Sequence, residues 1–431
     1  MQQPGKDVLR IGGICLDQPQ KWERIVWARI VPFLILVNIA LNPFPHTTSI
    51  REVSYYLAAA LLVFYFLWYR DWSAFKTPLT LPVALFTVWA FFGLFWALDF
   101  DASLHDIRSH LLKYIGLFLL LTIFFNSRAK FRLLFWVIVV SVVISGFHDM
   151  YFFYVEGKNS FLTRMCIENH QLPVGPLGFM ALFAVTLVVH LLQSGERLWG
   201  KCALVMCLGG LLLILFVTQM RSLLVALPFI IIALFWDNKK ILATVMLVVV
   251  LFFFGFFTKL RSLDNVGSYT DRLTINYMSW LLIKEYPITG MGFSMETPGN
   301  SRFVDHEKLR DQVPLAIKND GVEYTSPHNM WIGITLQTGV IGLILFIAIW
   351  ITGIRMCIKL IRNTVSLENK FLGQLGLSAI ILFSVYGLFN VVFMHFLEFL
   401  MCVFFAVVSV NDTRHSSNPG FSPVKAFLRA S

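Results

Sequence analysis

Charge is scarce in this chain: of 431 residues only 14% are charged, against 57% that are hydrophobic. So few charges do not cover a soluble domain, which excludes that class. Cysteine is scarce too, and Cys15, Cys166, Cys202, Cys207, Cys357 and Cys402 lie mostly in or beside apolar runs, with neither metal-ligand spacing nor a disulfide framework. The first 24 residues hold Lys6, Asp7, Arg10, Lys21 and Arg24 and no apolar core of signal-peptide length, so a cytoplasmic tail is expected there. No internal repeat and no matched pair of interrupted helices is visible, which speaks against an alternating-access transporter. The net charge of +10 is spread over many short loops and gathers on no face that would bind nucleic acid.

What the chain has is apolar runs of membrane-spanning length, and with them an all-α integral membrane fold. About twelve transmembrane helices are predicted, near 25–43, 54–69, 80–98, 112–126, 131–154, 174–193, 201–219, 222–236, 241–258, 329–358, 371–390 and 392–410. The chain divides accordingly into 1–258 (a cytoplasmic tail and nine spans), 259–327 (a large outer loop with short helices), 328–410 (three spans) and 411–431 (a cytoplasmic tail). With both termini inside, the inner segments carry 21 of the 35 lysines and arginines and the short outer loops 6. That bias sets the orientation and turns the long loop outward.

The long loop is the one extended polar stretch, and a connection of that length is usually a lid or a site. Two helix starts are predicted in it. Thr270 can cap a helix with Arg272 in its first turn, a stripe of Leu273, Tyr277, Trp280 and Leu281, and Pro287 as its stop. A guanidinium beside free backbone N–H groups suits a phosphate. Ser326 can cap a second helix with Pro327 at its first position and His328 in its first turn, where the dipole favours a neutral imidazole able to act as a base. The plainer readings are Arg272 paired with Asp271 or with a lipid headgroup, and His328 as an interfacial polar residue.

Other outward features stand apart from the loop. Leu104, Ile107, Leu111 and Ile115 recur at helical spacing after Asp99-Phe-Asp101, as an interfacial amphipathic helix or as the wet start of the fourth span. Residues 155–173 form a modest loop with Lys158, Arg164, Glu168 and His170 and no motif. Arg221 is the sole break between two apolar runs, and a charge at that depth is a functional candidate. The tenth span is long enough that it is expected to start above the hydrocarbon or to bend near Thr338-Gly339, and His395 with Glu398 would form a buried polar pair locking helices.

Together, Arg221 at a span end, Arg272 with Trp280 eight residues on, Pro287-Ile-Thr-Gly290-Met-Gly292, His328-Asn329 and Gln337-Thr-Gly339-Val-Ile-Gly342 resemble the bacterial O-antigen ligase and polymerase superfamily. The resemblance covers about 175–346. It departs from the family at His170-Gln171-Leu172-Pro173, where an Asn-containing signature is expected. What it implies is a GT-C-like glycosyltransferase of the bacterial inner membrane with a periplasmic active site and no metal or other cofactor. The donor would be an undecaprenyl-pyrophosphate-linked glycan and the acceptor a sugar hydroxyl of lipid A-core, among membrane lipids. Arg221 and Arg272 would hold the pyrophosphate, His328 would be the base, and Asn329 and Trp280 would contact substrate.

Polymerase and protein O-oligosaccharyltransferase share this constellation. One dominant outer loop and a tail of 21 residues after Val410 favour the ligase. Asp99 and Asp101 as a divalent-metal pair, or a lipid-linked glycan transporter, are the remaining alternatives.

Overall fold

The computed structural model describes residues 8–17, 20–161, 163–165, 174–252, 266–324, 326–362, 367–391 and 397–416. A helix lies on each of the twelve apolar runs. In chain order the helices are α1 (Lys21–Leu41), α2 (Pro45–Tyr69), α3 (Thr80–Trp96), α4 (Phe100–Phe124), α5 (Arg128–Glu156), α6 (Val174–Gln193), α7 (Leu198–Thr218) and α8 (Arg221–Phe235). They continue as α9 (Lys239–Phe252), α10 (Val266–Glu285), α11 (His306–Asp311), α12 (Met330–Arg362), α13 (Leu367–Gly387) and α14 (Glu398–Ser416). Among the described residues eight of these, α1, α2, α4, α5, α6, α7, α12 and α13, are long and apolar enough to cross a membrane, while α3 and α8 are shorter apolar helices. The chain is a multi-pass membrane protein.

One element departs from the all-α expectation. Strands β1 (Val8–Ile11) and β2 (Ile14–Asp17) pair antiparallel, with Ile11 opposite Ile14 across Gly12-Gly13. Two glycines between two apolar tetrads are a hairpin signal, but strands this short are not stable alone and need a surface to dock on. Here Asp71, between α2 and α3, supplies it. Its carboxylate accepts from the Gly13 N–H at 2.9 Å and from the Tyr65 hydroxyl at 2.7 Å, and Tyr65 also donates to the Ile11 carbonyl. Burial alone would raise the Asp71 carboxyl, but these hydrogen bonds and that from Ser73 outweigh it and hold it below the usual carboxylate range.

The bundle's core centres on α13, which packs against α6, α8, α12 and α14. Trp350 of α12 sits among Phe346, Phe383 and Phe405 with ring centroids 5.9, 6.2 and 5.9 Å away, so offset aromatic contacts add to burial here. Two further sequence features take their places. The stretch after Asp99 is the start of α4 and not a separate interfacial helix, and the Asp99 carboxylate caps it by accepting from the Ala102 N–H at 3.0 Å. Glu398, 1% exposed, meets His110 of α4 at 3.1 Å. The polar lock therefore joins α14 to α4, and His395 lies outside the described residues.

The long helix α12 bends where expected, at Gly339, whose φ of 65° and ψ of −173° interrupt the helix. The turn 287–292 fits into that bend. Met291 N–H donates to the Leu336 carbonyl at 2.8 Å, Gly292 N–H to Gln337 at 3.2 Å, and Val340 N–H to Pro287 at 2.9 Å. Trp89 of α3 closes the contact through the Thr338 carbonyl at 2.8 Å. The two glycine-containing motifs thus interlock and seat the long polar segment on the bundle. A Cβ on Gly339 would collide with the Ile288 carbonyl, and one on Gly290, at φ 71°, would meet Gln337 backbone at 2.5 Å. Gly339→Ala should therefore combine backbone strain of about 1–3 kcal/mol with a clash. Detergent-solubilised protein should melt at a markedly lower temperature, and an unchanged melting curve would show that the bend tolerates a side chain.

Candidate active site at one end of the bundle

The long polar segment has its own small core, in which Ile275, Met278 and Leu282 of α10 pack with Met291, Val304, Leu309, Val313, Val322 and Tyr324. This shifts the α10 stripe read from sequence by one to two residues: Thr274, Ile275, Met278, Ser279 and Leu282 face inward, while Trp280 is 44% exposed. The Tyr324 hydroxyl meets Ser279 Oγ at 2.8 Å, and burial pushes it above the ordinary tyrosine range, so it stays protonated.

The helix also begins earlier than expected. Val266 opens α10, so Thr270 is not its cap and Arg272 lies in the second turn, past the free N–H groups. Arg272 does not pair with Asp271, whose carboxylate accepts from Asn319 at 2.6 Å. Among the described residues no carboxylate is within salt-bridge distance of Arg272. It is half-buried and feels the Tyr386 hydroxyl and, with like charge, Arg164. Burial first, and then the Arg164 charge, lower its pKa from the usual arginine value.

The helix N-terminus belongs to the other arginine. Helix α7 ends at Thr218, Gln219 takes a left-handed conformation at φ 48° and ψ 41°, Met220 is extended, and Arg221 is the first residue of α8. A half-buried arginine therefore stands at the N-terminus, the positive end of the dipole, of a fifteen-residue helix. Arg164 buttresses this turn: its Nε donates to the Thr218 carbonyl at 3.2 Å, and Met165 N–H donates to Val217 at 3.1 Å.

The end of α13 collects these parts. Asn390, just beyond it, donates to Ser222 Oγ at 3.2 Å and so ties down the start of α8. Tyr386 sits under Arg272, its hydroxyl 2.8 Å from where a Cβ on Gly175 would lie, at the start of α6. Asn329 Nδ2 donates to the Leu388 carbonyl at 3.1 Å, and its Oδ1 accepts from the Trp331 and Ile332 N–H groups at 2.9 and 3.1 Å. Asn329, not Ser326, is thus the cap of α12, and His328 precedes the helix instead of lying in its first turn. The Asn329 amide is engaged by protein at the start of α12, one residue after His328.

The structure brings Arg221, Arg272, His328 and Asn329 to one end of the bundle. Trp280 is set apart, about 12 Å further along α10, with the Lys284 ammonium 3.4 Å over its ring. Sequence reasoning missed Tyr386 and Asn390 and gave Arg164 no role. The signal for Arg164 was a lone arginine in a short outer loop, which carries no pattern until the fold places it. Residues 170–173 lie outside the described residues.

Residues 204–347 match the family model described as O-Antigen ligase. No curated protein matches the chain. The matched stretch runs from α7 past the bend in α12 and contains Arg221, Arg272, Trp280, His328, Asn329 and both interlocking glycine motifs. The resemblance read from those residues is thereby supported: residues 204–347, about a third of the chain, are similar to the O-antigen ligase domain, which supports an O-antigen ligase/polymerase family assignment.

Proposed function

We propose that this protein is an O-antigen ligase, moving a glycan from undecaprenyl pyrophosphate to a sugar hydroxyl of lipid A-core at the periplasmic face of the inner membrane. The observation that carries this reading is the gathering of Arg164, Arg221 and Arg272 around the end of α13, beside the segment that holds His328. The like charges of Arg164 and Arg272 repel one another, and a polyanion bound between them would relieve that repulsion.

The chemistry follows from the parts. The acceptor hydroxyl attacks the anomeric carbon from the face opposite the pyrophosphate, the carbon–oxygen bond to phosphate breaks, and configuration inverts. His328 takes the hydroxyl proton. Charge grows on the leaving pyrophosphate, where Arg221, Arg272 and the α8 N-terminus meet it. Asn329 and Arg164 are positioning residues, the first for His328 and the second for the turn that carries Arg221, with Arg164 adding positive potential.

Two measurements bear on this. In a cysteine-free background, cysteine at Asn300 should react with an impermeant maleimide added outside cells and cysteine at Lys240 should not; the reverse would put the site on the wrong face. Deletion of the gene should leave lipid A-core bare while polymer accumulates on its lipid carrier. A band of lipid A-core bearing a single repeat unit would instead assign the polymerase reaction, with the same residues acting on a different acceptor.

A further inference from the structure

One cavity among the described residues lies away from the arginines. It is a cleft of about 600 Å³ on the long polar segment, between the last turn of α10 and residues 303–312. Its floor is apolar and belongs to the segment's core, with Leu282, Met291, Val304 and Leu309 all buried. Its rim carries Lys284, Glu285, Asp305, Lys308 and Gln312, with the rings of Tyr286 and Phe303 between them. From Arg272 to Lys284 the helix rises about 18 Å, so a ligand in the cleft is out of reach of a pyrophosphate at the arginines unless a chain joins the two.

The rim chemistry narrows the ligand. Two ammonium groups and two carboxylates leave no net charge, and among the described residues none of the four is salt-bridged to another. A polyanion gains nothing there, in contrast to the arginine cluster. An acyl chain would strip water from four charges, which is costly. An extended peptide needs a strand edge to add to, and the walls here are helix and turn. An apolar floor with aromatic rings and a ring of donors and acceptors suits a ligand that is apolar on its flat faces and polar all round its edge. Cavities of this size hold ligands larger than one small ring. We propose that the cleft between α10 and α11 binds a neutral oligosaccharide segment, several residues from the reacting sugar of one of the two glycan substrates.

This rests on the glycan-transfer reading for the identity of the chain, but it is tested without turnover. Binding of two probes, delipidated core oligosaccharide and free repeat-unit oligosaccharide, is measured by saturation-transfer NMR on the full chain in nanodiscs. The double variant Glu285→Gln/Lys308→Met keeps side-chain volume at two exposed rim positions. Lys318→Met is the control, its ammonium bridging Asp311 and Asp320 away from the cleft. One probe should bind the wild type and the control alike and the double variant about tenfold more weakly, since lost hydrogen bonds to charged groups have that size. The probe that binds says whether the acceptor or the donor lies there. Failure of both probes to bind the wild type, or equal binding by the double variant, overturns the proposal. Binding as expected in a protein that transfers no glycan leaves the cleft standing and strikes the proposed reaction.

Discussion

Lysine in place of either Arg221 or Arg272 should lower glycan transfer about 10²-fold, with protein yield and melting temperature unchanged. The charge is nominally conserved, so the size of the loss comes from geometry and from desolvation. Arginine presents a planar fork that can bond two phosphate oxygens at once, whereas lysine offers a compact ammonium that reaches one. Arg221 starts α8, where its fork and the helix N–H groups can share one anion. Arg272 faces a harsher test. Burial and the Arg164 charge lower the pKa of its guanidinium, which remains cationic because it starts so high. An ammonium at 272 starts lower, and the same forces bring it closer to losing its proton. Arg272→Lys should therefore be the worse of the two, and its deficit should grow as pH rises above neutrality. Initial rates of purified variants across pH decide the matter. Full activity in both would remove the pyrophosphate clamp, while equal, pH-independent losses would keep the clamp and discard the desolvation argument.

The parts of this fold that follow from local pattern were legible in the residues. Apolar runs gave the helices, Gly339 gave the bend, and Thr218 to Ser222 gave a turn with almost no loop. Parts that depend on a distant partner were not. Glu398 and His110 are 288 positions apart, and nothing near either one announces the other. Ser326 and Asn329 are both good caps, and local preference does not separate them. The choice falls to Asn329 because its amide also reaches Leu388, across a sequence gap of 59. The start of α10 slid for a related reason: no strong stop precedes Thr270, so the helix extends back to Val266. That slide leaves Arg221, and not Arg272, at a helix N-terminus. Both arginines still lie toward the same end of α13, and each is marked in the sequence by its own unusual placement. Arg164 had no such mark, and only the fold sets it against Thr218 and Arg272.

Glutamine in place of His328 should abolish most transfer, by about 10² to 10⁴ in rate, while donor binding stays near wild type. His328 lies one residue before Asn329, whose amide is held by three hydrogen bonds to the start of α12 and to Leu388. That anchoring is what a base requires, since a proton is transferred only when donor and acceptor are kept within hydrogen-bond reach. Glutamine keeps much of the size and can still donate and accept hydrogen bonds, but it does not take a proton at any working pH. A role in binding or packing would therefore be largely preserved in His328→Gln, and a role as base would not. Asn329→Ala separates position from chemistry: it leaves the imidazole and removes the cap, at a cost of about 1 kcal/mol to the helix start. Its rate should fall less than that of His328→Gln, and its melting temperature more. The measurement is single-turnover transfer beside equilibrium binding of the undecaprenyl-pyrophosphate-linked donor. Near-normal turnover in His328→Gln would end the base assignment, and loss of donor binding in that variant would make His328 part of the pyrophosphate site alongside the arginines.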